Sequence, residues 1–69
     1  MNYTDYLRKI GLEIKIARIR QNMTQTDLPD KTGLAQVTIC EIEMGKGNSH
    51  ILSYKRLAEA LGVELKDVL

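Results

Sequence analysis

Gln36, Val37, Thr38 and Glu41 fall within one short stretch, Ala35 to Met44. Helical spacing sets them apart from Ile39 and Ile42, which point the other way. These four side chains have no nucleophile, base or metal-ligand geometry among them. What they offer is a patch of hydrogen-bonding groups and one small apolar contact held away from a scaffold, which is the chemistry of recognition. No catalytic constellation in the chain competes with it. No base–nucleophile pair, phosphate-cradling loop or metal-ligand spacing is present, so an enzyme is not expected. The single cysteine, Cys40, excludes an intrachain disulfide and cannot build a thiolate zinc site. No cofactor is implied. Cys40 reads as a small residue beside the core, with no neighbouring base to activate its thiol. His50, the lone histidine, reads as a solvated residue at a helix start.

The elements that hold the patch can be read from Thr24 to Gly45, TQTDLPDKTGLAQVTICEIEMG. Thr24 is a candidate N-cap, with Asp27 three residues on as a capping-box partner. Leu28 is an apolar anchor. Gly33 stands where the chain must reverse and tolerates positive φ. The pattern predicts helices over roughly Gln25 to Thr32 and Ala35 to Met44. Two helices joined by a glycine turn, the second presenting polar side chains outward, imply a helix-turn-helix that enters the DNA major groove.

Around this motif, apolar residues recur with helical spacing and no stretch alternates as a half-buried strand would. A first helix is expected from about Asp5 to Gln21, with Leu7, Ile10, Ile14 and Ala17 inward and Asn22 as a left-handed stop. Gly45 to Asn48 reads as a loop. Ser49 can cap a further helix whose inner face is Ile51, Tyr54, Leu57, Ala58 and Leu61, stopped by Gly62. Val63 to Leu69 is expected as a short closing helix with Leu65, Val68 and Leu69 inward. The expectation is an all-α, compact five-helix domain over residues 1–69. At 69 residues such a chain buries only ~60% of its unfolded surface, and three tyrosines are its only aromatics. Leu, Ile, Val and Ala must build the core.

Ten basic and nine acidic residues leave a net charge of +1, which demands no particular partner. No apolar run approaches the ~20 residues that span a bilayer, and MNYTDYLRKI is unlike a secretory signal. A reducing, cytoplasmic setting is the expectation.

Ordered along the chain, the residues resemble the small helix-turn-helix repressors of the phage Cro and C1 repressor type. The matching pieces are Ile10-Gly11-x-x-Ile14-Lys15-x-x-Arg18, Thr24-Gln25-x-x-Leu28 and Gly33-Leu34. They continue with Ile39-x-x-Ile42-Glu43-x-Gly45 and Leu57-Ala58-x-Ala60-Leu61-Gly62-Val63. The resemblance implies a lambda-repressor-like fold and a sequence-specific regulator, binding a palindromic operator as a homodimer. It further implies base contacts by Gln36, Val37 and Glu41: Gln pairs with adenine, Val packs on a thymine methyl, and Glu accepts from cytosine. Gln25 at the start of the second helix, with Thr38, Lys46 and Asn48, would hold phosphates. Arg18 and Glu43 match a buried ion pair, and Val68 and Leu69 a dimer surface. The architecture resembles autoregulating controllers of phages, mobile elements or restriction systems.

Four departures sharpen the expectations. Pro29 stands where the family has alanine, so either the second helix is short or starts late, or the recognition helix is re-aimed. Between Thr24 and Gly45 there are four acids (Asp27, Asp30, Glu41, Glu43) against one base, Lys31. Cations must therefore come from Lys46, Lys31 and Arg20, and Glu41 either touches a base or is simply solvated. Ala35 replaces a Ser or Thr cap, at a cost of ~1 kcal/mol. Leu12, Ile16 and Ile19 share a face of the first helix distinct from its inner stripe. Either the N-terminal residues fold back over them or they form a protein interface. The rival to a DNA regulator is thus a protein–protein adaptor or antitoxin-like module using that face.

Overall fold

A computed structural model describes residues 2–46 and 51–64. Four α-helices make up the regular structure of these residues: α1 (Tyr3–Arg20), α2 (Leu28–Thr32), α3 (Gln36–Glu43) and α4 (Ile51–Leu61). The expected fifth helix does not begin at Val63: Val63 and Glu64 are not helical, and the remainder of that stretch, with Leu65, Val68 and Leu69, lies outside the described residues. So do Asn48, Ser49 and His50.

Packing follows the apolar periodicity. Leu7, Ile10, Ile14 and Ala17 of α1 are buried. They meet Leu28 of α2, Ile39 and Ile42 of α3, and Tyr54, Leu57, Ala58 and Leu61 of α4 in one core. α1 and α2 each pack against both α3 and α4. Ile51, expected inward, is exposed. It is the first residue of α4, a full turn before Tyr54, where burial of that helix begins.

Helix ends are set locally. Asn2 caps α1 by accepting from the Asp5 amide at 2.8 Å, so the helix starts two residues before the predicted Asp5. Asn22 stops it in the left-handed region (φ 56°), with Asn22 N–H bonded to Ile19 C=O and Met23 N–H to Arg18 C=O. The same pair of reversed bonds closes α3 at Gly45 and α4 at Gly62.

The start of α2 corrects the sequence reading. The helix begins at Leu28, not Gln25, with Pro29 in its first turn. Were Gln25 the first helical residue, its carbonyl would need the amide that proline lacks. In the first turn no such amide is required. Residues 24–27 form a turn instead, with the Asp27 amide on the Thr24 carbonyl at 3.1 Å. Asp27, not Thr24, is the N-cap residue of α2, and its side chain makes no capping bond to that helix. Its carboxylate accepts from the Thr24 amide at 2.7 Å, which keeps one half of a capping box on the preceding turn.

Candidate nucleic-acid interface

α3 is held from behind. Ile39, Ile42 and Glu43 are buried, and Val37, 62% exposed, lies on the opposite side. Gln36 and Glu41 are exposed beside it, and Thr38 is half-buried on the flank. The side chains of Gln36, Val37, Thr38 and Glu41 make no hydrogen bonds among the described residues. The outer face is therefore free along two turns of helix. Met44 belongs to it as well, exposed one turn beyond Cys40, and sequence reasoning assigned it nothing. Cys40 is half-buried on the same helix, and its thiol donates to the Met44 Sδ at 3.6 Å.

Two turns fix the attitude of this helix. Before it, Gly33 takes the left-handed conformation (φ 75°) and its amide bonds to the Pro29 carbonyl. Thr32, buried, donates its hydroxyl to Leu28 C=O and accepts from the Leu34 amide, which braces the turn. Ala35 is the N-cap residue, and with no side-chain acceptor it leaves the first amides of α3 without an internal partner. Behind the helix, the end of α3 lies directly on α1. A Cβ placed on Gly11 would collide with the Ile42 carbonyl oxygen and lie 3.0 Å from that of Glu43. Glycine is what lets the two backbones touch.

Arg18 and Glu43 are brought together across that contact. Arg18 Nε donates to Glu43 Oε2 at 2.8 Å and its Nη2 to Oε1 at 3.1 Å, while Nη1 donates to the Met23 carbonyl at 2.7 Å. Both side chains are largely buried. Hydrogen bonding to Glu43 raises the Arg18 pKa above its ordinary value. Burial pulls the other way and is outweighed, with the Glu43 charge adding to the rise. Gln25 joins the cluster: its Nε2 donates to Glu43 Oε1 at 3.2 Å. It precedes α2 by three residues, in the turn rather than on a helix N-terminus. One N–H of that amide remains for an acceptor outside.

Lys46, exposed, follows α3, its amide bonded to the Glu41 carbonyl. It borders an open groove that Thr4, Arg8, Glu41 and Gly45 also line. Arg8 is the residue that sequence reasoning missed here. A Cβ on Gly45 would come within 2.6 Å of Arg8 Cγ, so the glycine brings α1 and its cation against the end of α3. Arg8, Lys46 and Glu41 thus line one groove. Lys31, Arg20 and Asp27 are all exposed. The backbone hydrogen bond from Thr24, then its side chain, holds the Asp27 carboxyl below its ordinary pKa.

Leu12, Ile16 and Ile19 remain uncovered, at 54%, 39% and 53% exposure. From Tyr3 onward the N-terminal residues continue α1 itself and so cannot fold back over it.

A family model described as helix-turn-helix matches residues 14–68. The chain belongs to the helix-turn-helix family. The likeness to the Cro/C1 type read from the residues stands with it. An uncharacterized HTH-type transcriptional regulator of Methanocaldococcus jannaschii is 34% identical over 56 residues, which span 81% of this chain and 85% of that protein. The crystal structure of the restriction-modification controller protein C.AhdI from Aeromonas hydrophila matches with a TM-score of 0.82 at 25% identity, over 94% of this chain and 98% of that one. The all-α fold is that of a helix-turn-helix transcriptional regulator, and its helix-turn-helix is a DNA-binding domain. No helix among the described residues is long and apolar enough to cross a membrane.

Proposed function

We propose that this protein is a sequence-specific DNA-binding regulator, a repressor or autoregulating controller acting in the cytoplasm on a palindromic operator as a homodimer. The observation that carries the reading is the free outer face of α3, backed by buried Ile39, Ile42 and Glu43. Gln36, Val37 and Glu41 are the base-contacting residues: Gln36 for an adenine edge, Val37 for a thymine methyl, Glu41 for a cytosine amine. Thr38 and Lys46 contact phosphates, and Asn48, outside the described residues, is assigned the same role from the sequence alone.

Gln25 contacts a phosphate through the N–H that Glu43 leaves free. Arg8 joins Lys46 on the backbone. Together they supply the cations that Thr24 to Gly45 lacks, so that Glu41 approaches a base without a net repulsion from the duplex. Two-fold symmetry would set two such helices in successive major grooves, roughly 34 Å apart.

The test is titration of the purified protein with DNA from its own upstream region against scrambled duplex, repeated over a range of salt. Selective binding that weakens steeply with salt supports an operator-binding regulator. Equal binding of both duplexes, or none at low salt with the fold intact, overturns it.

A further inference from the structure

We infer that the outer face of α1 is a docking surface for an acidic amphipathic helix of a partner protein, separate from the DNA face. Leu12, Ile16 and Ile19 follow one another at spacings of four and three, a straight apolar stripe about 10 Å long. Each stays substantially exposed. On α1 the stripe lies between Lys15 on one side and Lys9 and Arg20 on the other. All three cations are exposed, and none has an ion pair among the described residues. Two acids share this side of α1: Asp5, two turns before Leu12 on the same line, and Glu13, beyond Arg20 on the flank.

This arrangement selects its occupant by charge. A second copy of the chain docked stripe to stripe would set like charges opposite each other in either direction. Antiparallel pairing opposes Lys15 to Lys15, and Lys9 to Arg20. Parallel pairing opposes Lys15 to Lys9 and Arg20. Like charges held together as apolar surface is buried are costly, so self-association at this face is disfavoured. A helix with leucine-like residues at the same spacing and Glu or Asp on both flanks meets the stripe with apolar contact and the cations with opposite charge. A lipid surface fits less well: the stripe is three aliphatic side chains wide on a packed helix, with no aromatic residue to seat among headgroups.

The test uses the full chain, isotope-labelled, without DNA. Three synthetic peptides of equal length are titrated in: one with Leu at the matching spacing flanked by Glu, one with the same Leu flanked by Lys, and a scramble of the first. The expected result is that the Glu-flanked peptide binds and shifts amides of Leu12 to Arg20, with the other two weaker by about tenfold or more. Leu12→Ser with Ile19→Ser removes the binding. Lys9→Glu, Lys15→Glu and Arg20→Glu together reverse the preference toward the Lys-flanked peptide, and circular dichroism verifies that both variants fold. Equal binding of the three peptides overturns the inference. So do shifts outside α1, stripe shifts that follow protein concentration alone, or preference for phosphatidylglycerol vesicles over every peptide. Because no DNA is present, this outcome is independent of the operator titration, and failure of one leaves the other readable.

Discussion

Gln25 and Glu43 are joined by a hydrogen bond of 3.2 Å that ties the turn before α2 to the last residue of α3. The carboxylate oxygen that accepts it also accepts from Arg18 Nη2. One buried acid thus gathers α1, the turn and α3. On the proposed reading, the residue that contacts a phosphate is oriented by the same acid that anchors the base-facing helix. Backbone contact and base contact would then be mechanically coupled through Glu43.

Removing that acid should be far more damaging than removing its neighbour. Glu43→Ala leaves the Arg18 guanidinium without its partner in a largely buried site, and is expected to cost ~3–5 kcal/mol. Gln25→Ala removes one part-buried hydrogen bond and should cost about 1 kcal/mol. Urea denaturation of both variants measures the difference. Equal destabilisation would mean that Glu43 is not the hub.

On DNA the order reverses in kind. Gln25→Ala should weaken operator and scrambled duplex alike, since a phosphate carries no sequence. Lys46→Ala should do the same and reduce the slope of log affinity against log salt by about one. Gln36→Ala should instead relax preference at a single base pair by ~1–3 kcal/mol. Competition binding against a set of single-base operator variants separates the two behaviours. Unchanged preference in Gln36→Ala would sink its base-reading role.

Gly11→Ala should lower stability by about 1–3 kcal/mol, because the added methyl meets a backbone carbonyl and not a flexible side chain. Thermal unfolding followed by circular dichroism is sufficient. A near-neutral result would show that α1 and α3 can separate at no cost, against the close approach seen at Ile42.

Acid should loosen the turn before α2. Asp27 is held below its ordinary pKa by Thr24. The stabilisation is therefore complete above the unfolded carboxylate value, about pH 4, and is lost as pH falls through the lower folded value. The Thr24 amide resonance, followed by NMR, should titrate together with the Asp27 carboxyl. In Asp27→Asn that titration should vanish. A Thr24 amide indifferent to pH would remove the bond from the account.

Much of this architecture is visible in the residues. The inner stripe of α1, the left-handed Asn22 and the glycines at 33, 45 and 62 are short-range signals, and the chain obeys each of them. Other features depend on what meets what. Gly11 reads in isolation as a poor helix former, and only the end of α3 explains it. Arg18 and Glu43 are 25 residues apart, so no local pattern pairs them; the likeness to Cro and C1 repressors suggested the match. Arg8 gives no sign of its place beside Lys46 until Gly45 brings α1 close. The start of α2 was legible in Pro29, but a capping pattern at Thr24 pointed to an earlier residue. Asp27 answered that pattern from a turn. Ile51 fits the apolar period of α4 and still stays outside, because periodicity does not say where a neighbouring helix stops.

The stops of the helices have a consequence for how such a protein can change over generations. α3 is bounded by left-handed turns at Gly33 and Gly45 and gripped through Ile39, Ile42 and Glu43. The side chains of Gln36, Val37 and Glu41 are exposed and make none of the hydrogen bonds that hold it. Lettering on this face can therefore be rewritten while the frame keeps its register. If these residues read the operator as proposed, its choice is free to drift among descendants whose folds stay the same, and two lineages can become deaf to each other's DNA without passing through an unstable ancestor.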